Sequence, residues 1–547
     1  MTSKRSQYPR LVVAGLHGDS GKTLVSLGLA LLLRDRGTLV RVFKKGPDYI
    51  DVAWLTWAAG HVGRNLDTYL MGLQQVLSCF ARHATDQGLN LIEGNRGLYD
   101  GFDAAGTHST AELAKALSAP VVLVVDVAKI TRTAAALVLG CQNLDPGVQI
   151  AGVILNRVNG ARHERVLREA IESACSVPVL GVLPRLACSA LLPARHLGLV
   201  TPDEHPQIAE LRGNVLSAVQ GTVDLGKLME AAARAPELEW AVEDPQPLLD
   251  GRGLKIGFLK DSAFTFYYPE NLEALEGAGA SMSPISSLSS TTLPEDLDCL
   301  YIGGGFPDTH AAKLSANVRG LQSRRMAAGQ GLPIYAECGG LMQISQAIHW
   351  KGQCYPIAAV FSFEVEVCEE PQGHGYASLY VDHPNPFFLT ATELRGHEFH
   401  YSRTACDDAA PYYLRRAPRL ERIRQPRRDD GGEHLCELPA SARGGHSGTG
   451  GWRARGRALL RTTRGSHGSP RVSGTREVAS KNGPRTCVSE IARLVMSKRH
   501  FAAARAGSRN DSPRSRTGKT HFRREWSVSE TDPRRGDRNR ARAARAG

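Results

Sequence analysis

The stretch LVVAGLHGDSGKTLVSLGLALLLRDRG, residues 11–37, joins a short apolar strand to a glycine-rich loop and an amphipathic helix. The strand pattern covers 11–14, the loop 15–23 and the helical pattern 24–37. In this order, backbone N–H groups of the loop and the N-terminus of the helix can hold phosphate oxygens. The loop is one residue longer than a standard Walker A loop but keeps the GKT ending. The stretch therefore predicts a phosphate-binding loop.

Two side chains at the end of this loop match specific roles in nucleotide binding. Lys22 would neutralise the β and γ phosphates, and the hydroxyl of Thr23 would ligate Mg²⁺. We expect the backbone of Gly18, Ser20 and Gly21 to surround the phosphate oxygens. An ordinary turn between a strand and a helix is the alternative, and the GKT ending argues against it.

Further apolar runs in the first half of the chain predict a parallel sheet with helices between its strands. These runs are residues 38–43, 89–92, 119–125 and 150–155, with a helical stretch at 110–117. Asp48 and Asp51 follow the first run, and Glu93 and Asp100 follow the second. Because the carboxyl ends of parallel strands meet at one edge of the sheet, these acids predict a site for Mg²⁺ and substrate. Each acid taken alone is equally compatible with a solvated loop residue.

A second chemical signal, GLPIYAECGGLMQIS, lies at residues 331–345. The apolar strand pattern stops at Cys338 and the two glycines that follow it, and a helical pattern then begins. Glycines permit the sharp turn that exposes one side chain at a nucleophile elbow, so Cys338 is a candidate nucleophile. If Cys338 were the only signal, a buried structural cysteine would be the default interpretation.

Length and composition exclude several classes of protein. The 547 residues exceed one hydrophobic core and predict two or three domains. The net charge of +12 comes from residues 411–547, which hold 33 Lys and Arg against 12 Asp and Glu, whereas the first 410 hold 34 against 43. This tail lacks periodicity and is poor in aromatic residues, which argues against nucleic-acid binding. The 11 cysteines form no CxxC pair, and neither a signal peptide nor a membrane-length apolar segment is recognised, which predicts a cytoplasmic protein with reduced thiols.

Several further motifs accompany the phosphate loop and AECGG in order along the chain. They are KKGPDYID (44–51), EGNRGLYDG (93–101), GVILNRV (152–158), RHLGL (195–199), DSAFTFYYPENLEAL (261–275), GGGFPD (303–308) and GHEFHYS (396–402). With them, residues 10–405 resemble the cobyrinic acid a,c-diamide synthase family. The resemblance implies an α/β fold: a parallel-sheet P-loop NTPase domain of the dethiobiotin-synthetase type, followed by a flavodoxin-like class I glutamine amidotransferase domain.

The resemblance also divides the chain. We expect an amidoligase domain that binds ATP and Mg²⁺ at residues 1–235, a linker at 236–252 and an amidotransferase domain at 253–415 that lacks its C-terminal part. Residues 416–547 are expected to be a disordered or out-of-frame basic tail.

By motif position, the resemblance assigns roles to individual residues. Lys22, Thr23 and Lys44 are expected to contact phosphate or metal, with Thr23, Asp48 and Glu93 as Mg²⁺ ligands and Asn156 at the adenine. Tyr49, Asp51 and Asp100 fall where the family handles the corrinoid and its phosphorylated carboxylate. Backbone N–H groups of Gly304 and Gly305 in GGGF are the candidate oxyanion donors.

The implied activity is amidation of the c and then the a carboxylate of a cobyrinic acid type corrinoid, in cobalamin biosynthesis. ATP would convert each carboxylate into an acyl phosphate, because a free carboxylate has no leaving group that ammonia can displace. Cys338 would release that ammonia from glutamine through a thioester. The implied ligands are ATP, Mg²⁺, glutamine and the corrinoid, with no nucleic acid and no membrane, and a homodimer is left open.

The histidine that should activate Cys338 is missing from the expected position. The family carries it in a late motif resembling ASYxHxH, whereas His397 and His400 belong to GHEFHYS and His434 and His446 have other neighbours. Codons for EHLCELPASAR at 433–443, read from their second base, permit NTFASYLHLHA. The sequence therefore predicts a frameshift in this region, which an unbroken reading frame in the DNA would contradict.

Three other interpretations stay open at the level of the sequence. In the first, the substrate is a different tetrapyrrole, such as hydrogenobyrinate or Ni-sirohydrochlorin. A partitioning or scaffold P-loop ATPase is a different class, but such proteins usually carry a second lysine early in the loop, where this chain has Leu16 and His17. The third interpretation is a truncated product without activity.

Overall fold

The computed structural model describes residues 2–185, 194–195, 198–242, 251–381, 387–388, 392–405, 414–416 and 437–440. All of them belong to one compact unit, Met1–Lys498, whereas a second unit, Arg499–Gly547, lies outside the described residues.

A seven-stranded parallel sheet organises the first half of the chain. Its strands are β2 (Arg10–Gly15), β3 (Val40–Lys45), β4 (Arg64–Leu66), β5 (Leu89–Glu93), β6 (Val121–Asp126), β7 (Ile150–Val158) and β8 (Val179–Pro184), and their order is β4-β3-β5-β2-β6-β7-β8. Strand β1 (Thr2–Ser6) pairs antiparallel with β11 (Leu238–Val242), and β9 (Ala194–Arg195) pairs with β10 (Gly198–Leu199). The near-continuous burial of β2 and β6 is what a sheet covered on both faces requires.

Helices cover both faces of this sheet. One hydrophobic cluster contains residues of α1 (Lys22–Asp35), α2 (Tyr49–Ala59), α7 (Ile208–Val219) and α8 (Leu225–Ala233). The other contains residues of α3 (Leu73–His83), α4 (Thr110–Ala116), α5 (Thr133–Leu144) and α6 (Gly160–Cys175). A 3₁₀ turn, Pro202–Glu204, precedes α7. The predicted strands are therefore present, with ends shifted by a few residues.

A second parallel sheet organises the other half of the chain. It has the order β13-β12-β14-β15-β23, where β12 (Lys255–Leu259), β13 (Ser281–Ile285), β14 (Cys299–Ile302) and β15 (Ile334–Glu337) are parallel and β23 (Glu437–Ala440) is antiparallel. Helices α9 (Pro269–Gly277), α10 (Ala311–Ala316), α11 (Val318–Gly329) and α12 (Gly339–Ile344) follow or connect its strands.

Two smaller sheets extend this half. Strands β16 (Ala347–Trp350), β17 (Gln353–Pro356), β18 (Glu364–Val367) and β21 (Ser402–Ala405) form one of them, in the order β17-β16-β18-β21. Strands β19 (Gly373–Val381), β20 (Glu393–His400) and β22 (Leu414–Arg416) form the other, in which β19 and β20 pair antiparallel over eight residue pairs.

The structure differs from the sequence-based expectation at Glu437–Ala440. We expected this segment to belong to a disordered tail, but its backbone extends the sheet by pairing with Ile334–Glu337. Backbone pairing of this kind depends little on side chains, which explains why composition did not predict it. Residues 417–436 and 441–547 lie outside the described residues, as do His196, Leu197, His434 and His446, so the frameshift stays a prediction. Among the described helices, none combines the length and apolarity needed to cross a membrane.

Candidate active site

The phosphate loop leaves β2 and enters α1 through a left-handed residue. Gly21 has φ of 98°, and a Cβ atom there would lie 2.3 Å from Nδ2 of Asn156. Only glycine satisfies both constraints without strain. The amide of Asn156 contacts the loop directly: its Nδ2 donates a hydrogen bond to the carbonyl of Ser20 at 2.9 Å. The predicted contact of Asn156 with adenine stays a prediction, while its contact with the loop is direct.

The two lysines of this site occupy different electrostatic surroundings. Lys22 follows Gly21 and donates to the carbonyl of His17 at 3.1 Å, and burial together with the charge of Lys44 lowers its pKa. Lys44 is almost completely buried, and its Nζ lies 2.6 Å from Oδ2 of Asp51 and 2.8 Å from Oε1 of Glu93. Burial opposes the charge of Lys44, but these carboxylates outweigh it and raise its pKa. Lys44 is therefore a fixed positive charge beside the loop.

Sheet register explains why these groups meet. Strand β5 lies between β3 and β2, and Lys44 on β3 is the register partner of Glu93 on β5. The hydroxyl of Thr23 at the start of α1 donates to Oε1 of Glu93 at 2.9 Å. Thus the carboxyl ends of three neighbouring strands bring Thr23, Lys44 and Glu93 together, as the α/β rule predicts.

Part of the predicted Mg²⁺ ligand set fits this arrangement. Glu93 is fully buried, and its Oε2 has no hydrogen-bond partner among the described residues. An unsatisfied buried carboxylate oxygen next to the Thr23 hydroxyl supplies the hard oxygen donors that Mg²⁺ prefers, and this ion usually takes few protein ligands beside waters and phosphates. Among the described residues there is no cluster of three or more His, Cys, Asp or Glu side chains suited to a metal.

Asp48, the third predicted ligand, has a structural contact of its own. Its Oδ1 accepts hydrogen bonds from the backbone N–H groups of Ile50 and Asp51, both at 2.8 Å, and so caps α2. Burial and the neighbouring charge of Asp51 raise the pKa of Asp48 to about 7. Asp48 also lines a cleft that continues into the second half of the chain.

This cleft, of about 510 Å³, joins the two halves of the chain. From the first half it is lined by residues that follow β3 and β5, among them Asp48, Tyr49 and Asp100. From the second half it is lined by Gly304 after β14 and Cys338 after β15. Residues predicted from two separate motif sets therefore line one cleft.

Tyr49 occupies an aromatic stack within this cleft. Its ring is stacked on Phe266 with centroids 5.0 Å apart and on Tyr268 with centroids 4.4 Å apart. The hydroxyl of Tyr268 donates to the carbonyl of Pro47 at 3.0 Å and ties the two halves together. The aromatic sequence at 261–268 thus contributes Phe266 to the cleft.

Cys338 sits at a sharp backbone turn between β15 and α12. Its φ of 46° and ψ of −108° are unusual for a residue with a side chain. A Cβ on Gly340 would lie 2.2 Å from the carbonyl of Ile302, so the turn approaches β14 too closely for any larger residue. The half-buried thiol therefore occupies a true elbow, as the small-residue pattern predicted.

The loop after β14 faces this thiol. A Cβ placed on Gly304 would lie 3.6 Å from Cβ of Cys338. The N–H of Gly303 donates to the hydroxyl of Tyr267 and the N–H of Phe306 donates to the carbonyl of Ala263. The candidate oxyanion donors of this loop thus narrow to Gly304 and Gly305.

Sequence reasoning gave no role to several ionisable groups that line the same cleft, among them Glu337, His397, Arg96 and His374. Glu337 is buried beside the nucleophile, and burial raises its pKa to about 7 against hydrogen bonds from Tyr335 and Tyr301. Burial lowers the pKa of His397 to about 4, so this imidazole is neutral near pH 7. Arg96 and His374 meet across the cleft. Glu337, Arg96 and His397 are part of motifs found in the sequence. Their meeting in one cleft depends on how the β19–β20 hairpin packs against the first half of the chain, and no local sequence pattern predicts that packing.

Comparison with known proteins gives one consistent result. Residues 11–200 match the CobQ/CobB/MinD/ParA nucleotide binding domain and residues 255–432 match the CobB/CobQ-like glutamine amidotransferase domain. The chain is 42% identical over 407 residues to the cobyrinate a,c-diamide synthase of Magnetococcus marinus, covering 73% of this chain and 86% of that one. It is 36% identical over 402 residues to the protein of the same name from Salmonella typhimurium, with 73% and 86% covered.

The chain belongs to the cobyrinate a,c-diamide synthase family. A relative from Archaeoglobus fulgidus, 39% identical over 408 residues with 74% of this chain and 88% of that one covered, has the same name. Among solved structures, chloroplast FtsY from Physcomitrella patens matches with a TM-score of 0.27 and 16% identity over 42% of this chain and 66% of that one, which is too weak to carry an argument. Membership of the cobyrinate a,c-diamide synthase family confirms the predicted fold class, a nucleotide-binding α/β domain followed by a glutamine amidotransferase domain.

Proposed function

We propose that this protein amidates the c and then the a carboxylate of a cobyrinic acid type corrinoid, using ATP and glutamine. The observation that carries the proposal is the shared cleft, in which the thiol of Cys338 and the residues Asp48, Tyr49 and Asp100 face the same space. The ATP site adjoins this space: Lys44, which shares Glu93 with Thr23 at the end of the phosphate loop, also contacts Asp51, two residues after Tyr49. An amidoligase needs this combination of an ATP site and an ammonia source.

The first step activates the carboxylate. A carboxylate oxygen of the corrinoid attacks the γ phosphorus of ATP, the bond to the β–γ bridging oxygen breaks, and ADP leaves. Lys22 and Lys44 neutralise charge on the transferred phosphoryl group, which is the main contribution that a protein makes to such a transfer. Thr23 and Glu93 would hold Mg²⁺, which supplies further charge neutralisation when it is bound.

The second step forms the amide. Ammonia attacks the carbonyl carbon of the acyl phosphate, inorganic phosphate leaves, and the nitrogen loses a proton. Asp51 and Asp100 are the candidate groups that position the reacting carboxylate and accept this proton. Asp100 is exposed towards the cleft, and its Oδ2 is oriented by the backbone N–H of Gly97 at 2.8 Å.

The nitrogen comes from glutamine at the elbow. The sulfur of Cys338 attacks the side-chain amide carbon, the thiol proton passes to the amide nitrogen, the carbon–nitrogen bond breaks and ammonia leaves, and water then hydrolyses the thioester to glutamate and restores the thiol. Backbone N–H groups of Gly304 and Gly305 are the proposed donors to the oxyanion that forms in both stages. Release of ammonia into the cleft that also holds the ATP-site residues shortens its path to the acyl phosphate.

Product analysis tests the proposal. Purified protein is incubated with cobyrinic acid, ATP and Mg²⁺ and either glutamine or an ammonium salt, and the corrinoid is followed by mass spectrometry. We expect a monoamide and then a diamide, formed only when ATP is present. Hydrogenobyrinic acid and Ni-sirohydrochlorin, offered in the same assay, identify the preferred ring. Failure to amidate any of these rings with either nitrogen source would refute the proposal.

A further inference from the structure

Two aromatic rings are exposed within the cleft. Of the large apolar side chains that the described part of the chain exposes, Phe102 and Phe399 are the aromatic ones, at 54% and 41% exposure. Both line the cleft, Phe102 from the loop after β5 and Phe399 from β20 in the other half of the chain. Exposed aromatic rings in a concave site usually mark an apolar contact for a ligand.

Each of the two phenylalanines also contacts another aromatic or imidazole ring. Phe102 is stacked on Tyr69 with centroids 5.6 Å apart, and Phe399 packs edge-on against His374 with centroids 5.5 Å apart. Tyr69 is itself stacked on Tyr376 of β19 at 4.4 Å. The two exposed rings are therefore rigid surfaces, so a ligand that covers them loses little conformational freedom on binding.

A positive charge lies beside these rings. Arg96 is exposed, lines the cleft and adopts a left-handed φ of 49°, a strained conformation for a residue with a side chain. Its Nη2 donates to Nε2 of His374 at 2.7 Å, and a guanidinium has further N–H groups to offer. Lys45 also lines the cleft from the end of β3, close enough for its charge to interact with that of Arg96.

We propose that Phe102 and Phe399 bind the flat macrocycle of the substrate and that Arg96 binds one of its side-chain carboxylates, one that is not being amidated. The proposal rests on the proposed function, since it assumes a tetrapyrrole that carries several carboxylates. Rigid rings match an apolar plane, and a planar guanidinium binds a carboxylate through two parallel hydrogen bonds. Arg96 and the two phenylalanines thus select a ring that is both flat and acidic.

The competing explanation is purely structural. The contact between Arg96 and His374 joins the two halves of the chain, and a latch of this kind would affect every ligand of the cleft equally. The charge of the ligand separates the two explanations, because a latch does not distinguish a carboxylate from its ester whereas a carboxylate-binding arginine does.

Equilibrium binding of two corrinoids, measured by absorbance without ATP, tests the proposal independently of turnover. The ligands are cobyrinic acid and its fully esterified form, and the proteins are the wild type, Arg96→Gln, Phe102→Ala and Phe399→Ala. We expect Arg96→Gln to weaken binding of the acid about tenfold and to leave the ester unchanged, because only the acid loses a charge-assisted hydrogen bond. Phe102→Ala should weaken both ligands about fivefold through loss of aromatic contact.

Matched controls are available outside the cleft. Arg325→Gln removes an exposed arginine from α11, and Leu144→Ala removes a side chain that is 69% exposed at the end of α5. Both should bind the two corrinoids as the wild type does. Urea denaturation of every variant checks that the fold is retained, and the Arg96→Lys variant should recover part of the affinity for the acid.

The outcomes separate the two proposals. Equal weakening of acid and ester by Arg96→Gln, or no weakening of either, would overturn the role of Arg96 even if the wild type forms the diamide. Unchanged binding of both ligands by Phe102→Ala and Phe399→Ala would overturn the role of the rings. Tight, charge-selective binding of the acid without any amide formed would support this site and count against the proposed function.

Discussion

Left-handed backbone conformations occur at both chemical centres of this protein. Gly21 in the phosphate loop can adopt φ of 98° freely, whereas Cys338 and Arg96 carry side chains at φ of 46° and 49°. Such residues cost about 1–3 kcal/mol each and persist where surrounding contacts hold them. The sequence predicted the roles of Gly21 and Cys338, because small residues flank both. It gave no sign of Arg96, which is neither glycine nor next to a proline.

Gly21→Ala should disable the ATP site. Its Cβ would lie 2.3 Å from Nδ2 of Asn156, so the hydrogen bond from that amide to Ser20 would break and the loop would shift. We expect ATP-dependent amidation to fall about a hundredfold, since misplacing a positioning group costs about that much. Gly37→Ala is the matched control: Gly37 is also left-handed, but nothing lies within 4 Å of its Cβ position. Equal loss of activity in both variants would show that space around Gly21 is not the cause.

Glu337→Gln should change the pH dependence of stability. The pKa of Glu337 is raised to about 7 in the folded protein, from 4.5, because of its burial. Protonated Glu337 therefore contributes favourably to the free energy of unfolding of the wild type. This contribution is fully present below pH 4.5 and is lost as pH rises through 7. The free energy of unfolding of Glu337→Gln relative to the wild type should therefore be higher at pH 8 than at pH 4.

Urea denaturation at both pH values measures this difference. Glu276→Gln on α9 is the control, because Glu276 is exposed. A Glu337→Gln variant whose relative stability does not change with pH would contradict the raised pKa.

At the scale of elements, the strands that carry the ATP site were predictable and the hairpin that closes the cleft was not. Continuous apolar runs indicated β2, β5 and β6, as expected for a sheet covered on both faces. The apolar pattern of β3 stops before Lys44 and Lys45, so the predicted strand ended too early. The observed strand includes both lysines, which are buried although they are charged. The β19–β20 hairpin has mixed polar and aromatic residues, and its position depends on contacts with the first half of the chain.

One of those contacts predicts a stability effect. The hydroxyl of Tyr376 on β19 donates to Oδ2 of Asp67 at 2.7 Å, and Asp67 is only 2% exposed. Tyr376→Phe leaves that carboxylate oxygen buried without its donor, which should cost about 1–3 kcal/mol in the free energy of unfolding. Tyr355→Phe is the control, since the hydroxyl of Tyr355 bonds to the exposed Gln353. Denaturation curves that shift equally for the two variants would contradict a special role for the hairpin contact.

At the scale of the whole molecule, residues from both halves of the chain line the cleft. Activation of the carboxylate and release of ammonia therefore both depend on how the two halves pack together. Bidentate hydrogen bonds from Arg64 to Glu273, at 2.6 and 2.9 Å, and the Tyr268 contact with Pro47 join the same two halves. Motifs predicted each half and its chemistry, because local patterns specify a loop or an elbow. They did not predict the shared cleft, since no local pattern records which faces of two domains meet.

The ATP site and the thiol carry out different steps, so variants at the two sites should respond differently to glutamine and to ammonium as nitrogen donors. Cys338→Ala should reduce glutamine-dependent amidation to background and leave ammonium-dependent amidation unchanged, because the thiol acts only on glutamine. Lys44→Gln should reduce both, because Lys44 serves the ATP site. Initial rates with each donor measure this. Loss of ammonium-dependent activity in Cys338→Ala, with the fold retained, would contradict the separation.

If the reading frame is broken before the late histidine motif, Cys338 lacks its base, and we then expect the wild type to use ammonium faster than glutamine. Equal rates with the two donors would mean that a histidine already in place serves Cys338.

The central claim is that the phosphate loop activates a carboxylate of the corrinoid by phosphoryl transfer. Its most direct test uses cobyrinic acid whose carboxylates carry oxygen-18, with ATP and ammonium, and measures the isotope in the inorganic phosphate released. The account predicts that one labelled oxygen moves into phosphate for each amide formed. Amide formation with unlabelled phosphate would contradict it.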